Sequence, residues 1–470
     1  MLKRTSIVGG LLVALCLAGC IGSKDCKFEK LALNPFQGYV LTTDLENPWN
    51  IVWGPDDYLW VSERSGKRIT RINPETGEKK LVGTIDEAYP DPKTPHEGVL
   101  GFALSPDMLK GGDDYIYVFY THRVNGQRLA RIARYTYNLK TQTMGDPQII
   151  IDGIPAGSDH NGGRLIFGPD KKLYLSKGEM GHNQFLNACL PIEAQRLPTT
   201  VEVAKKDWTA YVGKVLRLNP DGSIPADNPV LSGVRSHVFT YGHRNPQGLA
   251  FGPTGLLYSS EQGPSSDDEL NLLESGGNYG WPHVAGFRDD HGYVYANYSA
   301  AADCKNLKWD ANVIPAGVPQ QKETSWNAPN FKEPLKTFYT VPMGFNFSDA
   351  RNAGDGLDYV CWPTVGASSV LYYPEKGVVP FWRNSLMMTS LKNGSVYVAK
   401  LGQSGKQLQG DVGRFFRSEN RYRSLAIDPE GRRLFVITDN GGSGRDDALV
   451  PTTVMKNPGS ILVFRYVGDL

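Results

Sequence analysis

Hydrophobic and polar positions alternate along much of this chain in short runs, and several runs follow a turn built around proline. The run Tyr58–Val61 follows Gly54-Pro55-Asp56, and the run Tyr115–Val118 follows Ser105-Pro106-Asp107. Further turns of this kind precede apolar runs at Gly168-Pro169-Asp170, Gly252-Pro253-Thr254 and Asp428-Pro429-Glu430. Alternation with a period of two, bounded by glycine and proline, is typical of β-hairpins. The pattern therefore predicts an all-β fold.

The first four turns recur at intervals of roughly 50 to 85 residues, close to the repeat length of propeller blades. The interval before the last turn is about twice as long, and Ser369–Tyr373 with Leu386–Val398 supply strands for a degenerate unit there. We therefore predict a six-bladed β-propeller of four-stranded antiparallel blades. Two stacked β domains with accidental turn similarity are the alternative. The long insertions His182–Trp208 and Tyr279–Lys336 are expected to be loops over one mouth of the ring.

The N-terminus has the pattern of an export signal. Lys3 and Arg4 precede an apolar run, Ser6–Ala18, that is too short to span a bilayer. The run ends in Leu17-Ala18-Gly19-Cys20, which resembles a bacterial lipobox, although an ordinary signal cut with Cys20 incidental is the alternative. We expect a lipoprotein signal peptide at residues 1–20, a tether at 21–33 and a single propeller domain at 34–470. The protein would then be exported and lipid-anchored to a bacterial membrane, in the periplasm or on the outer surface.

Composition changes this picture little. The net charge is +1, whereas a nucleic-acid binder carries a basic field, so no nucleic-acid partner is expected. No other segment is apolar for eighteen or more residues, so no membrane-spanning helix is predicted. The cysteines beyond the signal and Cys20 are Cys26, Cys189, Cys304 and Cys361. Four cysteines allow three pairings, and the sequence does not choose among them.

Two loops are denser in polar groups than blade strands require. In Ser158–Arg164, His160 is a candidate general base with the Asp159 carboxylate beside it. The second loop region joins Gly242–Gly248 to Glu261–Glu269, whose glycines and prolines expose backbone carbonyls suited to Ca²⁺. A structural histidine and a solvated acidic loop are the respective alternatives.

A third set of polar residues is cationic. Lys392 and Arg421-Tyr422-Arg423 belong to different predicted blades. Converging at the channel mouth, they would hold a polyanion, because an arginine fork binds a carboxylate bidentately. Surface charge is the alternative for each of them taken singly.

Five stretches carry a likeness to a known family: Gly213–Asn219, Gly242–Phe251, Gly276–Pro282, Cys361–Thr364 and Asn420–Arg423. They resemble the soluble PQQ-dependent glucose dehydrogenases, and the match runs in order from about Phe36 to Tyr466. The resemblance implies oxidation of an aldose, glucose or a related sugar, at the anomeric carbon to the lactone. Electrons would pass to an external acceptor, because the chain has no C-x-x-C-H haem motif.

The resemblance also implies a role for each matching residue. His160 would remove the proton from the anomeric hydroxyl, Asp159 would hold its imidazole, and the anomeric hydrogen would leave as hydride to PQQ. Arg244 would stabilise charge that develops on the quinone oxygens. The implied cofactor contacts are Arg244, Asn245, Gln247, Thr364, Lys392, Arg421, Arg423 and Asp439. The implied sugar site comprises His96, Glu179, Gln184, Tyr359 and Trp362.

Calcium is the second cofactor that the resemblance implies. The backbone carbonyls of Gly263 and Pro264 match ligands of an ion beside PQQ, which would polarise the quinone as a Lewis acid. A second calcium pair, at the family's dimer interface, would use Asp268, Glu269, Tyr279, Ala285, Phe287, Asp289 and Glu323. A homodimer is therefore a further expectation.

Three positions depart from the family's pattern. His96 stands where the family has glutamine, and Glu179 stands where it has aspartate. The family's second cysteine upstream of the one matching Cys361 is missing, because this region has Gly354. The first two changes leave the redox chemistry in place and put the preference for glucose in question.

Two other functions stay open on the sequence alone. A calcium-dependent propeller hydrolase, such as a lactonase, would also centre a metal on the channel but would leave the cations Arg244, Lys392, Arg421 and Arg423 without a task. An inactive sugar-binding propeller lipoprotein would keep the fold and lose the activity. The presence of His160 together with these cations argues against both.

Overall fold

The computed structural model describes residues 35–94, 96–348, 358–446, 448 and 450–468. The predicted signal peptide, the lipidated Cys20, the tether and Cys26 lie outside the described residues. Six four-stranded antiparallel sheets, here called blades 1 to 6, follow one another along the chain. The predicted six-bladed β-propeller is confirmed, and the alternative of two stacked β domains is excluded.

The strands of each blade are given from the first, innermost strand outwards. Blade 1 consists of Pro48–Trp53, Leu59–Glu63, Arg68–Ile72 and Lys79–Thr84. Blade 2 consists of Val99–Leu104, Tyr115–Val124, Gln127–Asn138 and Thr143–Pro155. Blade 3 consists of Leu165–Phe167, Leu173–Lys177, Lys214–Leu218 and Val238–Tyr241.

The second half of the ring has the same organisation. Blade 4 consists of Pro246–Phe251, Leu257–Glu261, Asp268–Leu273 and Lys336–Phe338. Blade 5, the predicted degenerate unit, consists of Ala367–Tyr373, Ser385–Ser390, Val396–Lys400 and Gly413–Phe415. Blade 6 consists of Tyr422–Ile427, Arg433–Thr438, Ile461–Tyr466 and Phe36–Thr42.

Blade 6 closes the ring with strands from both ends of the described chain. Phe36–Thr42 is its outer strand and pairs antiparallel with Ile461–Tyr466, with Phe36 opposite Tyr466. Main-chain hydrogen bonds therefore tie the beginning of the propeller to its end. This pairing also covers a sheet edge that would otherwise be open.

The core consists of six apolar clusters, one between each pair of neighbouring blades. In blade 1, Trp60 packs with Phe102 toward blade 2, whereas its neighbours Leu59 and Val61 pack with Phe435 toward blade 6. Successive side chains of a strand point to opposite faces. Both faces of the inner strands are buried, so apolar residues occupy most of their positions, with buried polar residues concentrated toward the end that faces the site.

Helices and small ribbons occupy the connections. The α-helices are Thr200–Lys205 and Asp358–Cys361. The 3-10 turns are Phe185–Asn187, Thr209–Tyr211, Pro253–Gly255, Tyr298–Ala300, Cys304–Asn306, Glu323–Ser325 and Pro380–Trp382. The ribbons pair Val230–Leu231 with Val234–Arg235, Tyr295–Ala296 with Gln320–Gln321, and Gly444–Arg445 with Pro451–Thr452. Within the described ranges, no helix has the length and apolar character needed to cross a membrane.

The two long insertions lie at the same mouth of the ring, as predicted. The segment 182–208 joins the second and third strands of blade 3, and the segment 279–336 follows the third strand of blade 4. Residues of both line one cleft. A disulfide between Cys189 and Cys304 links the two insertions and resolves part of the pairing that the sequence left open. Cys361 lies outside this bond.

Candidate active site

The predicted site residues come from blades 2 to 6 and meet at one end of the propeller axis. In an antiparallel blade, the start of the first strand and the end of the second strand lie at the same edge. His160 and Arg244 lie just before first strands, whereas Glu179, Lys392 and Asp439 lie just after second strands. The sheet order therefore places these side chains around one mouth of the channel.

His160 lies at the centre of the site and is buried, with a relative exposure of 4%. Its backbone has a φ of 42°, a left-handed conformation that side chains other than glycine rarely adopt. Its Nδ1 lies 2.6 Å from Glu179 Oε1, and its Nε2 lies 3.5 Å from Gln184 Nε2. The Nδ1 contact fixes the imidazole plane and leaves Nε2 directed toward the cleft side of the site.

Asp159 holds His160 in a different way from the one predicted. Its Oδ1 accepts the His160 backbone N–H at 2.8 Å, but its Oδ2 is 3.6 Å from Nε2. Glu179, predicted as a sugar contact, is the carboxylate that binds the imidazole. The positive φ of His160 turns the ring away from the neighbouring side chain and toward the second strand of blade 3.

The other side of Asp159 faces His96. His96 Nε2 lies 3.3 Å from Asp159 Oδ1, and both side chains are about one third exposed. Burial alone would raise the pKa of Asp159, but His160 and His96 together hold that pKa well below its ordinary value. Asp159 is therefore an ionised carboxylate between two imidazoles, at the position where the sugar is predicted to bind.

The Arg244 side chain lies near His160 and is held by three contacts. Its Nη2 donates to Gln184 Oε1 at 2.8 Å, its Nη1 donates to the Gln262 carbonyl at 3.1 Å, and its guanidinium lies 5.3 Å from the Trp281 ring centroid. Gln184 thus bridges the arginine and the imidazole of His160. Burial lowers the pKa of Arg244, although the side chain stays a cation in this range.

Buried cations form the wall opposite His160. Arg423 donates to both oxygens of Asp439 at 2.8 Å, and Arg421 Nε donates to Asp439 Oδ2 at 3.1 Å. Lys392 donates to the Thr364 hydroxyl and to the Tyr359 carbonyl. Burial and the nearby Arg445 lower the pKa of Lys392 to about 7.

Two further arginines belong to this wall and were missed by the sequence analysis. Arg64, after the second strand of blade 1, donates to the Glu97 carbonyl at 3.1 Å, and Arg164, before the first strand of blade 3, donates to the Gln247 carbonyl at 3.3 Å. Burial lowers the pKa of Arg64 to about 10 and that of Arg164 to about 9. Both arginines lie at strand ends equivalent to those that carry the predicted residues. This position in the repeat could have identified them from the sequence. We call the set Arg64, Arg164, Lys392, Arg421, Arg423 and Asp439 the cationic cup.

Asn245 and Gln247 connect the cationic cup to the His160 loop. Asn245 Oδ1 accepts from the Gly162 N–H at 3.2 Å and from Gln247 Nε2 at 3.0 Å. Gln247 Oε1 accepts from Arg423 at 3.4 Å. Both predicted cofactor contacts therefore lie between the base and the cations.

Aromatic side chains line the cleft beside His160. Trp362 is buried and packs against Trp309 and Phe347, with ring centroids 6.0 Å and 6.3 Å away. Trp309 in turn lies 4.4 Å from the Phe185 ring. The adjoining cleft has a volume of about 230 Å³ and reaches Gln184 and Trp281. Tyr359, the other predicted aromatic wall, is 39% exposed, and its carbonyl accepts from Lys392.

Most residues predicted to bind calcium meet around one small void next to Arg244. The void has a volume of about 10 Å³, enough for one water-sized particle. Five predicted calcium ligands line it, namely Gly263, Pro264, Glu269, Tyr279 and Ala285. Asp289 and Phe287 lie on the adjacent loop, where the Asp289 N–H donates to the Phe287 carbonyl at 2.9 Å.

Carboxylates gather on the far side of this void, and we call Asp267, Glu269, Asp289 and Glu323 the acidic pocket. Asp267, which the sequence analysis did not single out, is 1% exposed. Within the described part of the chain, neither of its carboxylate oxygens accepts a hydrogen bond of standard geometry, although the Ser266 and Thr340 side chains lie close enough to lower its pKa. Burial and Asp289 raise the pKa of Asp267 to about 7 and that of Glu323 to about 8. Burial and Glu261 raise the pKa of Glu269 as well.

Asp268, predicted as a calcium ligand, has a different task in the structure. Its Oδ2 accepts the backbone N–H groups of Val365, Gly366 and Ala367 at 2.7 to 3.0 Å. Its Oδ1 accepts the Gly263 N–H at 2.9 Å. These four bonds occupy the carboxylate, so Asp268 anchors the loops around the void. Among the described residues, no three His, Cys, Asp or Glu side chains converge closely enough to form a metal site by themselves.

Comparison with known proteins assigns the family. Residues 45–335 match the family model described as Glucose / Sorbosone dehydrogenase. The chain is 43% identical over 464 residues to quinoprotein glucose dehydrogenase B of Acinetobacter calcoaceticus, which covers 97% of this chain and 96% of that one. It is 28% identical to an aldose sugar dehydrogenase of Escherichia coli strain K12, over 85% of this chain and 89% of that one. The PQQ-bound aldose sugar dehydrogenase from Streptomyces coelicolor has a TM-score of 0.60 and 27% identity, covering 92% of this chain and 99% of that chain. The chain belongs to the glucose/sorbosone dehydrogenase family, together with these quinoprotein and aldose sugar dehydrogenases.

Proposed function

We propose that the protein oxidises an aldose, glucose or a related sugar, at its anomeric carbon, using PQQ and Ca²⁺. The observation that carries the proposal is the buried His160–Glu179 pair, with Arg244 and the cationic cup beside it. A neutral imidazole held by a carboxylate at Nδ1 is a competent proton acceptor at Nε2. The product is the lactone, and the electrons leave for an external acceptor.

The cationic cup fits a polyanionic cofactor. Arg421 and Arg423 share the Asp439 carboxylate, whereas Lys392, Arg64 and Arg164 donate to neutral oxygens. Buried positive charge without enough negative charge is unfavourable, and a bound anion relieves it. PQQ carries three carboxylates and matches this need. Lys392, Arg421 and Arg423 would hold it, with Asn245, Gln247 and Thr364 adding hydrogen bonds.

The void and the acidic pocket fit a hard cation. Calcium prefers carboxylate and carbonyl oxygens, which Gly263, Pro264 and Glu269 present around the void. The buried Asp267 carboxylate and the raised pKa of Glu323 support this proposal, because a nearby positive charge would favour the ionised form of both groups. We propose Asp267 as an additional calcium ligand or counter-charge, in place of Asp268.

The protein's own residues divide the reaction between them. His160 accepts the proton of the anomeric hydroxyl at Nε2, and Glu179 stabilises the imidazolium that forms. Arg244 places a cation where negative charge develops, held there by Gln184 and by the Trp281 ring. PQQ, when bound, supplies the two-electron oxidising chemistry.

Sugar binding uses the cleft side of the site. Trp362 and Tyr359 offer aromatic faces to a pyranose ring, and the His96–Asp159 pair offers polar groups to its hydroxyls. A histidine at position 96 presents an imidazole to the sugar, with a geometry and charge that an amide lacks. We therefore propose that His96 alters the ranking of aldoses relative to family members with glutamine there.

The cellular setting is a separate proposal that rests on the N-terminal pattern. Cleavage before Cys20 and lipidation of that cysteine would anchor the propeller outside the cytoplasm through residues 21–33. Replacing Cys20 with serine should release the protein from the membrane fraction, as measured by fractionation. A homodimer stays a prediction and is tested by the mass of the purified protein in solution.

Replacing His160 tests the assigned base. We expect His160→Gln to keep PQQ uptake and to lower kcat by about 10² to 10⁴, the range that a general base contributes. PQQ uptake is measured by calorimetry and turnover by aldose-dependent reduction of a dye. Sugar oxidation at the wild-type rate in this variant would overturn the assignment.

A further inference from the structure

Lys177 is a buried lysine that the proposed reaction does not use. It ends the second strand of blade 3, and its relative exposure is 0%. Its Nζ lies 3.3 Å from Asn161 Oδ1 and 3.2 Å from the Gly178 carbonyl oxygen. Fully buried lysines are usually paired with a carboxylate, yet both contacts here are neutral oxygens.

The two groups that Lys177 contacts flank the hydrogen bond between His160 and Glu179. Asn161 directly follows His160 in the chain, and Gly178 directly precedes Glu179. One ammonium group therefore joins the segment that carries the base to the segment that carries its carboxylate partner. Glu179 is also the acidic group whose charge acts on Lys177.

Asn161 also makes hydrogen bonds that connect Lys177 to other parts of the loop. Its Oδ1 also accepts the Gly157 N–H at 3.0 Å, and its Nδ2 donates to the His96 carbonyl at 3.0 Å. His160 has a left-handed backbone, which is energetically unfavourable for a residue other than glycine. Contacts made by the surrounding residues hold the backbone in this conformation. Lys177 is one of the groups that do so.

We propose that Lys177 is a positioning residue that holds the His160–Glu179 pair together and keeps the His160 imidazole in its proton-accepting form. A positive charge on the ammonium disfavours a second positive charge on the nearby imidazole. The other charged or titratable groups around the pair are Asp159, His96, Arg244 and Tyr293. The role of His160 as a base rests on the proposed function. The contacts of Lys177 with Asn161 and Gly178 do not depend on it.

The effect of Lys177 should appear on the acid side of neutrality. Burial lowers the pKa of Lys177 to about 7. The side chain is therefore charged at the pH values where an isolated imidazole would take up a proton. Removing the charge should therefore favour the imidazolium and move the acid limb of kcat/KM to higher pH.

The test replaces Lys177 with methionine, which keeps the length of the side chain and removes the charge. We expect Lys177→Met to move both the acid limb of kcat/KM and the NMR titration of the His160 imidazole upward by about 0.5 to 1 pH unit. The NMR titration uses cofactor-free protein, and His160→Gln identifies the signal among the eight histidines. It needs no turnover, so it stays informative even if the proposed reaction is wrong.

Lys214 supplies the matched control. It lies directly opposite Lys177 on the neighbouring strand, is equally buried, and donates to the carbonyls of Glu193, Ala194 and Val212 at 2.8 to 3.0 Å. Lys214→Met should leave the His160 titration unchanged. If Lys177→Met does not fold, the uncharged Lys177→Gln gives the same measurement. A His160 titration that coincides with wild type in a folded Lys177 variant overturns the proposal.

Discussion

The cationic cup and the acidic pocket are buried regions of opposite charge on either side of Arg244. In the cup, Lys392, Arg421 and Arg423 outnumber the Asp439 carboxylate that Arg421 and Arg423 share. In the pocket, Asp267 and Glu323 have raised pKa values because burial and neighbouring carboxylates disfavour their charge. The sign of the unbalanced charge differs, so the ligand that balances it must differ as well. This difference is why we propose an organic polyanion for the cup and a metal cation for the pocket.

The two regions also depend on the fold in different ways. Residues of the cup come from blades 1, 3, 5 and 6, so the cup exists only when the ring is closed by the pairing of Phe36–Thr42 with Ile461–Tyr466. The pocket comes from blade 4 and its own insertion, residues 267–323. We therefore expect the pocket to respond to local changes and the cup to report on the whole propeller.

The largest expected effect comes from removing a charge in the cup. Arg423→Met should weaken PQQ binding by about 100-fold or more, because it deletes a buried charge and leaves Asp439 without its bidentate partner. Calorimetric titration with PQQ measures the change. Arg433→Met is the control, since Arg433 pairs with Asp428 in the same blade but outside the cup. Equal losses in both variants would contradict a specific role for the cup.

A smaller effect is expected in the pocket. Asp267→Asn removes a buried carboxylate whose oxygens accept no hydrogen bond of standard geometry in the described part of the chain. We expect excess Ca²⁺ to raise the Tm of the wild-type protein, because a cation that binds the native state stabilises it, and Asp267→Asn should abolish most of that rise. Asp290→Asn, which changes a half-buried aspartate bonded to Thr324, should keep that rise. A full calcium response in Asp267→Asn would remove Asp267 from the site.

The smallest effect is a difference in pH dependence between the two regions. Lys392, with a pKa of about 7, must take up a proton to bind an anion, so PQQ affinity should fall as pH rises above 7. Asp267 and Glu323, with pKa values of about 7 and 8, must lose protons to bind a cation, so Ca²⁺ affinity should rise over the same range. If one proton is taken up or released on binding, each affinity should change by no more than about tenfold per pH unit. If the affinities for PQQ and Ca²⁺ changed with pH in the same direction, the assignment of opposite charges to the two regions would be contradicted.

The repeat itself made much of the fold predictable. The proline turns mark the junction of first and second strands in five blades, so their spacing identified the blades and located the degenerate one. His160 and Lys392 were singled out by the polar character of their segments, whereas the roles of Arg244 and Asp439 came from the family resemblance. In the structure all four lie at equivalent strand ends and share one mouth. Applied to the repeat, this equivalence would also have identified Arg64 and Arg164.

Details set by backbone conformation were not predictable. Adjacency in sequence favoured Asp159 as the partner of the imidazole, but the positive φ of His160 directs the ring to Glu179. Likewise, Asp268 and Asp267 are neighbours, yet the carboxylate of Asp268 accepts four backbone N–H groups and that of Asp267 accepts none. The Cys189–Cys304 bond depends on two insertions meeting in space, which no local pattern encodes.

The most direct test of the account is a titration of the cofactor-free protein, lacking residues 1–20, with PQQ in excess Ca²⁺, followed by addition of aldoses and a dye acceptor. The account predicts saturable uptake of one PQQ per chain and dye reduction that depends on both PQQ and the sugar. Failure to bind PQQ in a folded, calcium-loaded protein would contradict the central claim that the cationic cup is the cofactor site.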